Sequence, residues 1–231
     1  ANWKLVDPHS GKAVKVISAS KLFDDLCSQA WETGEPGLIF GDTINRHNPT
    51  PKKGPMVATN PCGEQPLLPY EACNLGSINL NAILAGDTID WNKLSTLTET
   101  GVLFLNSVID HCFYPDPRID QLCRAHRKIG LGVMGFADLL LKLKIPYNAP
   151  QAFELGEKLM HHIKVEASRV SEDLAKKHGA FEGFNQSLWK KKGFKPRRNA
   201  TLTTVAPTGT ISMIAGCSAG IEPLFNFVFE R

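Results

Sequence analysis

The chain has little of what marks several large classes of protein. No run approaches the ~18 consecutive apolar residues of a membrane-spanning helix. The N-terminus, Ala1-Asn2-Trp3-Lys4, carries no signal-peptide pattern. The net charge is only +3, so no global field calls for nucleic acid or a membrane surface as partner. Six cysteines in 231 residues are too sparse for a disulfide scaffold and, without an export signal, read as reduced cytoplasmic thiols. They form no Cys-x2-Cys knuckle, and His161-His162 has no spaced partner pair, which argues against zinc. Internal repeats and low-complexity tracts are missing too.

What is present is a mixed pattern of helices and strands, an α/β chain. Ser18 or Ser20 caps an expected helix through about Thr33, and Leu38-Ile39-Phe40 reads as a short strand. Residues 41–55 are polar and rich in proline, a long loop. Cys73 to Leu80 alternates like a strand. Two long amphipathic helices are expected, from about Trp91 to Phe113 and from about Ala152 to His178, with Gly179 placed to end the second. Between them, Ile129 to Gly135 opens a shorter helix ending near Lys144. Ala200 to Val205 is rich in β-formers. The last run, Leu224 to Arg231, reads as a strand entering a core, and such an aromatic edge predicts a segment of a longer or split protein. A last strand paired internally is the alternative.

Four constellations could carry chemistry. The first is Asn60-Pro61-Cys62-Gly63-Glu64, with Cys73 eleven residues beyond Cys62. Pro61 fixes its own φ and Gly63 frees the next, so Cys62 is expected on a sharp turn beside an amide and an acid. Glu64 can serve as a general base and Asn60 can hydrogen-bond hydroxyls. The local residues leave a structural turn and a catalytic thiol equally open; Cys27, Cys112 and Cys123 sit in helical patterns and read as small buried apolar residues. The second is Pro207-Thr208-Gly209-Thr210-Ile211-Ser212. If Ile211 starts a helix, its free amides make an anion site; an ordinary hydroxyl cap is the commoner use of such residues. No Gly-Lys-Ser/Thr follows, so it is not a Walker loop. The third, Gly130-x-Gly132-x-x-Gly135, matches the dinucleotide fingerprint, but the residues before it are polar, which favours close backbone packing over cofactor binding. The fourth is a basic run, Lys190, Lys191, Lys192, Lys195, Arg197 and Arg198, read as a solvated loop that could also attract an anion.

The stretch from Asn60 to Leu80 closely resembles the active-site segment of ribonucleotide reductases, with the Pro-Cys-Gly-Glu wording most like the adenosylcobalamin-dependent class II enzymes. Arg198 to Thr210 resembles the family's phosphate-binding segment, and Ile129 to Asp138 another family stretch. The resemblance runs from about Ile17 to Glu222. It implies part of a ten-stranded α/β barrel, with Cys62 at the tip of an inner finger loop. Cys62 would become a thiyl radical and abstract the 3′ hydrogen of a ribonucleotide. Glu64 would take the 3′-hydroxyl proton and Asn60 would bind the ribose hydroxyls. Cys73 would be one of two reducing thiols. Pro207, Thr208, Gly209, Thr210 and Ser212 would cradle the substrate phosphates.

The resemblance further implies adenosylcobalamin as cofactor, a ribonucleoside di- or triphosphate as substrate and a thioredoxin or glutaredoxin-type reductant. It implies the remaining reductase segments, or a complementary chain, as partners. Residues 1–231 would form one segment of the catalytic barrel, without its first half, the allosteric region or the C-terminal tail, and inactive alone. No cysteine here fits the family's partner for Cys73. A class I catalytic subunit with a separate metal-bearing subunit, and a non-catalytic nucleotide- or partner-binding fragment, are the rival readings.

Overall fold

The computed structural model describes residues 1–226, and these fall into two compact units, one of residues 1–41 and one from Asp42 onward. The first unit is a hairpin of β1 (Asn2–Val6) and β2 (Ala13–Ser18) followed by α1 (Ala19–Thr33). Ser18 caps α1 by accepting from the Lys21 amide at 3.3 Å, and Gly34, at φ 83°, ends it. The expected α1 is therefore present, but it buries none of its residues within this unit, and Cys27 is exposed rather than packed. Leu38-Ile39-Phe40 forms no strand: the three residues are exposed and pair with no strand among the described residues. A run that short carries no period to distinguish strand from coil.

The second unit opens within α2 (Gly41–Arg46), and a 3-10 turn, Pro51–Lys53, follows where a plain loop was expected. Asparagine side chains stiffen it: Asn45 bonds both the amide and the carbonyl of Met56, and Asn48 donates to the Gly54 carbonyl. Short ladders follow, β3 (Ala58–Thr59) with β4 (Pro66–Leu67), then β5 (Asn74–Asn79), then β6 (Leu84–Ala85) with β7 (Thr88–Ile89). The helices α3 (Trp91–His111) and α4 (Pro117–His126) lead to β8 (Ile129–Met134). After β8 come α5 (Phe136–Lys142), α6 (Pro150–His178), α7 (Leu188–Lys191) and α8 (Gly209–Ala215).

The frame of this unit is parallel. β5 pairs with β8 in continuous register, from Asn74 opposite Ile129 to Asn79 opposite Met134. On the other edge of β8, residues 201–204 run alongside: Ile129 and Leu131 donate to the Thr201 and Leu202 carbonyls, and Thr204 donates back to the Leu131 carbonyl. Parallel neighbours need helical crossovers, and α3 and α6 supply them. Both helices pack on one face, where Leu94, Val102 and Ile163 are fully buried against Ile129, Leu131 and Val133. Each such side chain contributes about 1.5–3 kcal/mol of burial. Gly101 lets α3 approach, since a Cβ there would stand 2.9 Å from a Leu131 methyl. The sheets do not close into a barrel among the described residues.

Residues 129–134 are a fully buried strand rather than the opening of a helix. Their period is two: Ile129, Leu131 and Val133 face the helices, while Gly130 and Gly132 face the other way. The polar residues ahead of the strand hid it, because Arg127 and Lys128 are buried and paired, not solvated. The two glycines do serve close packing. A Cβ at Gly130 would lie 2.6 Å from Gln65 and Leu75 side-chain atoms, and one at Gly132 would lie 2.8 Å from the Thr204 carbonyl oxygen. The expected terminal strand lies mostly outside the described residues, and Leu224 to Asn226 are in no strand.

Candidate active site: a cysteine turn on a glycine strand

The glycine face of β8 is where the Cys62 turn lies. β3 and β4 bring its two ends together, and the Asn60 amide donates to the Gln65 carbonyl at 3.2 Å. The Asn60 side-chain oxygen accepts from the Gln65 amide at 2.9 Å, and the Asn60 carbonyl accepts from the Gly63 amide at 3.1 Å. Gly63 takes φ 88°, a conformation strained for other residues. The turn predicted from Pro61 and Gly63 is thus present, and Cys62 stands exposed on it. Asn60 spends its oxygen on the turn itself, which leaves Nδ2 as the group free for a ligand among the described residues.

Two contacts seat the turn. Gln65 is buried against the open flank of Gly130, and the Thr204 hydroxyl donates to the Glu64 carbonyl at 3.2 Å. The Glu64 oxygen Oε2 is buried and accepts no hydrogen bond from a described residue. A buried carboxylate oxygen with no partner is costly unless a ligand supplies one.

Cys73 immediately precedes β5 and is half-buried, its thiol 3.6 Å from the Asn74 carbonyl. The thiol is pushed up to about 12: burial raises it most, Lys128 pulls it down, and Glu71, Cys123 and Glu64 add to the rise. The Glu64 charge is thus among the groups that disfavour a Cys73 thiolate. At neutral pH Cys73 is a protonated thiol, able to give a proton or a hydrogen atom.

The second constellation differs in detail from expectation. α8 starts at Gly209, two residues before Ile211, with Thr208 as its N-cap at φ 54°. The Thr208 hydroxyl makes no cap; it accepts from the Gly220 amide at 2.7 Å. The first intrahelical bond is from Ser212 to the Thr208 carbonyl, so the amides of Gly209, Thr210 and Ile211 have no helical acceptor. Pro207, Gly209 and Ser212 line a cleft of about 790 Å³ with Glu222. Ser212 is buried and donates to the Gly209 carbonyl at 3.3 Å, which stiffens the start of the helix.

The basic run splits. Arg197 is buried against the rings of Trp189 and Phe194, 4.8 and 4.7 Å from their centroids. Arg198 donates to the His178 and Gly179 carbonyls and so finishes α6. Neither is a solvated charge, because each has an acceptor or an aromatic face that only the tertiary fold supplies.

One cluster had no signal in the sequence. Glu71 accepts from His126 Nδ1 at 2.7 Å, from Lys128 Nζ at 2.5 Å and from the Leu68 amide at 2.9 Å. Burial works to raise the Glu71 carboxyl, but the His126 bond, the Lys128 charge and the Leu68 amide outweigh it and hold the carboxyl below its ordinary 4.5. A depressed carboxyl contributes stability that is fully present above the unfolded value and lost as pH falls through the folded one. Unfolding free energy between pH 5 and 3 is therefore expected to fall less steeply in Glu71→Gln than in the parent chain. Denaturant titration across that range checks it, and equal slopes would refute it.

The structure thus brings a thiol, an acid and an amide onto one turn, with a second thiol at the foot of the adjoining strand, in a parallel α/β frame. The chain belongs to the family described as ribonucleotide reductase, barrel domain, whose family model matches residues 3–231. It is 52% identical over 228 residues to a vitamin B12-dependent ribonucleoside-diphosphate reductase of Mycobacterium tuberculosis (strain CDC 1551 / Oshkosh), covering 99% of this chain and 33% of that one. A protein of the same description from Thermoplasma acidophilum is 52% identical, covering 98% and 30%. The ribonucleoside-diphosphate reductase subunit alpha of Chlamydia trachomatis is 33% identical, covering 98% and 25%. The chain thus spans a quarter to a third of the length of these curated relatives. No described helix is long and apolar enough to cross a membrane.

Proposed function

We propose that residues 1–231 are one segment of the catalytic barrel of an adenosylcobalamin-dependent ribonucleotide reductase, with the Cys62 turn as the inner finger of a ten-stranded α/β barrel. Together with the remaining reductase segments it reduces ribonucleoside diphosphates to 2′-deoxyribonucleotides in the cytoplasm; alone it is inactive. The observation that carries this reading is the seating of the turn from Asn60 to Gln65 on the glycine face of β8, with a buried Glu64 oxygen that accepts no hydrogen bond from a described residue.

In this reading Cys62, as a thiyl, takes the 3′ hydrogen of the ribose. Glu64 accepts the 3′-hydroxyl proton at its unpartnered oxygen, which helps expel the 2′-hydroxyl as water. Asn60 holds the ribose hydroxyls through its amide nitrogen. Cys73 and a second thiol from the rest of the enzyme supply two electrons and end as a disulfide, and the hydrogen returns to the 3′ carbon from Cys62. The free amides of Gly209 and Thr210 hold phosphate oxygens, framed by Pro207, Thr208 and Ser212.

Cys62 is exposed, and Gly63 has no atom of a described residue within 4 Å of where a Cβ would stand, so among the described residues the turn leaves room beside the sulfur for a bulky radical source. Adenosylcobalamin, when bound, supplies the radical that Cys62 carries. A class I subunit would keep the same residues with another radical source; the 52% identity to vitamin B12-dependent relatives, against 33% to the subunit alpha, favours cobalamin. A thioredoxin or glutaredoxin-type dithiol restores the disulfide.

Cys73→Ser in the full-length, pre-reduced enzyme is the test. At most one turnover per site is expected, because the pair can no longer be oxidised and restored. Sustained turnover with an external dithiol would rule the assignment out.

A further inference from the structure

Behind Cys73 stands a buried ion cluster for which the reaction above has no use. The side chains of Glu71 and His126 are fully buried, and that of Lys128 is 1% exposed. Withdrawing such charges from water costs several kcal/mol per ion, and apolar residues of similar volume fold as well or better. A cluster of this kind beside a redox thiol calls for a role in its chemistry.

The register places it. Asn74 lies opposite Ile129 in the parallel ladder, so one residue earlier Cys73 comes opposite Lys128. Asn74 turns toward the helices, where Nδ2 donates to the Leu105 carbonyl of α3. Cys73 and Lys128 therefore fall on the other face, the one that carries the Cys62 turn. The groups facing Cys73 are Lys128 at the foot of β8, Glu71 from its own segment, Cys123 from α4 and Glu64 from the turn. His126, also from α4, reaches it through Glu71. Lys128 is the one cation in this set among the described residues, and Glu71 holds its ammonium in place. Burial opposes the Cys73 thiolate, and Lys128 is the group that relieves it.

We propose that Lys128, fixed by Glu71, is the cation that steadies Cys73 as a leaving thiolate when an external dithiol re-reduces it. Lys128 is a positioning residue that acts through Cys73, and the inference rests on the reading of Cys73 as a reducing cysteine. In this step a thiolate of the external dithiol attacks the sulfur of Cys73's disulfide partner. The disulfide breaks and Cys73 departs with the electron pair. The dithiol's second thiol then closes on the first and releases the partner. Two electrons enter the protein, the dithiol leaves as a disulfide, and the two protein thiolates take up two protons. A leaving thiolate that is stabilised departs faster, so Lys128 speeds re-reduction without touching the nucleotide.

The experiment uses the full-length enzyme with adenosylcobalamin, a ribonucleoside diphosphate and dithiothreitol. Three variants are compared: Lys128→Met, Lys128→Arg, and Glu71→Gln combined with Lys128→Met, which removes the buried pair as a unit. Two rates are measured, the first turnover of pre-reduced enzyme and the steady state. The pH dependence of Cys73 alkylation by iodoacetamide is followed by peptide mass. Without the lysine, the first turnover is expected to stay near parental. The steady state falls about tenfold, and Cys73 alkylation slows about tenfold or more at each pH between about 7 and 10. Lys128→Arg keeps the charge and restores much of both. Equal losses in first turnover and steady state, or an alkylation profile unmoved in the Lys128→Met and paired variants, would overturn the proposal. Should Cys73→Ser sustain turnover, the reading of Cys73 itself fails; if that variant is inactive while the alkylation profile is unmoved, only the role of Lys128 fails.

Discussion

Cys62→Ala in the full-length enzyme is expected to abolish nucleotide reduction, by at least ~10⁴-fold, or about 5.5 kcal/mol of barrier. The size of the loss follows from the chemistry. In the proposed reaction no other residue of the turn carries the radical to the ribose: Asn60 and Glu64 would handle hydrogen bonds and protons, and Pro61 and Gly63 shape the backbone. The same change is expected to leave stability within about 0.5 kcal/mol, because Cys62 is exposed and its sulfur fills no space in the core. The turn is closed by backbone bonds and the Asn60 side chain, none of which passes through Cys62. Activity and folding thus separate cleanly. Deoxynucleotide formation and a urea midpoint, measured on one preparation, check both halves; retained reduction would remove Cys62 from the mechanism.

Gly132→Ala carries the second large effect, and its cause is steric. A Cβ at position 132 would lie 2.8 Å from the Thr204 carbonyl oxygen, a backbone atom that cannot rotate away. The obstacles at Gly130 are ends of the Gln65, Leu75 and Thr204 side chains, which have some freedom to move. Overpacking of this kind costs about 1–3 kcal/mol. It also displaces Thr204, whose hydroxyl holds the Glu64 carbonyl. A shift near 1 Å at a catalytic group is worth about 10²-fold in rate. We therefore expect Gly132→Ala to lower kcat/KM by about two orders of magnitude and to lower the urea midpoint as well. Gly37→Ala, where no atom of a described residue lies within 4 Å and φ is ordinary, is expected to change neither. Parental activity in Gly132→Ala would mean that the turn is not held through Thr204.

The long helices were legible in the sequence because their apolar period and their ends agree. Asp90 caps α3 through the Lys93 amide, and Gly179 ends α6, both local signals. The turn at Cys62 was legible for a similar reason, since Pro61 and Gly63 act on the backbone next to them. β8 was not, because two of its six residues are glycines and its polar neighbours are neutralised by residues far along the chain. The start of α8 was misplaced because the Thr208 hydroxyl turns to Gly220 instead of capping the helix. The Glu71 cluster escaped entirely: its partners lie 55 and 57 residues away, and burial of a charge is a tertiary property.

The central claim is that the Cys62 sulfur removes the 3′ hydrogen of a ribonucleotide. The most direct measurement is a competition between 3′-deuterated and unlabelled ribonucleoside diphosphate in the full-length enzyme, read by mass as the ratio in product. The account predicts discrimination against deuterium, with the label still at C3′ of the deoxynucleotide formed, and no product from Cys62→Ala. Equal use of the two substrates, or product formed at the parental rate by Cys62→Ala, would contradict it.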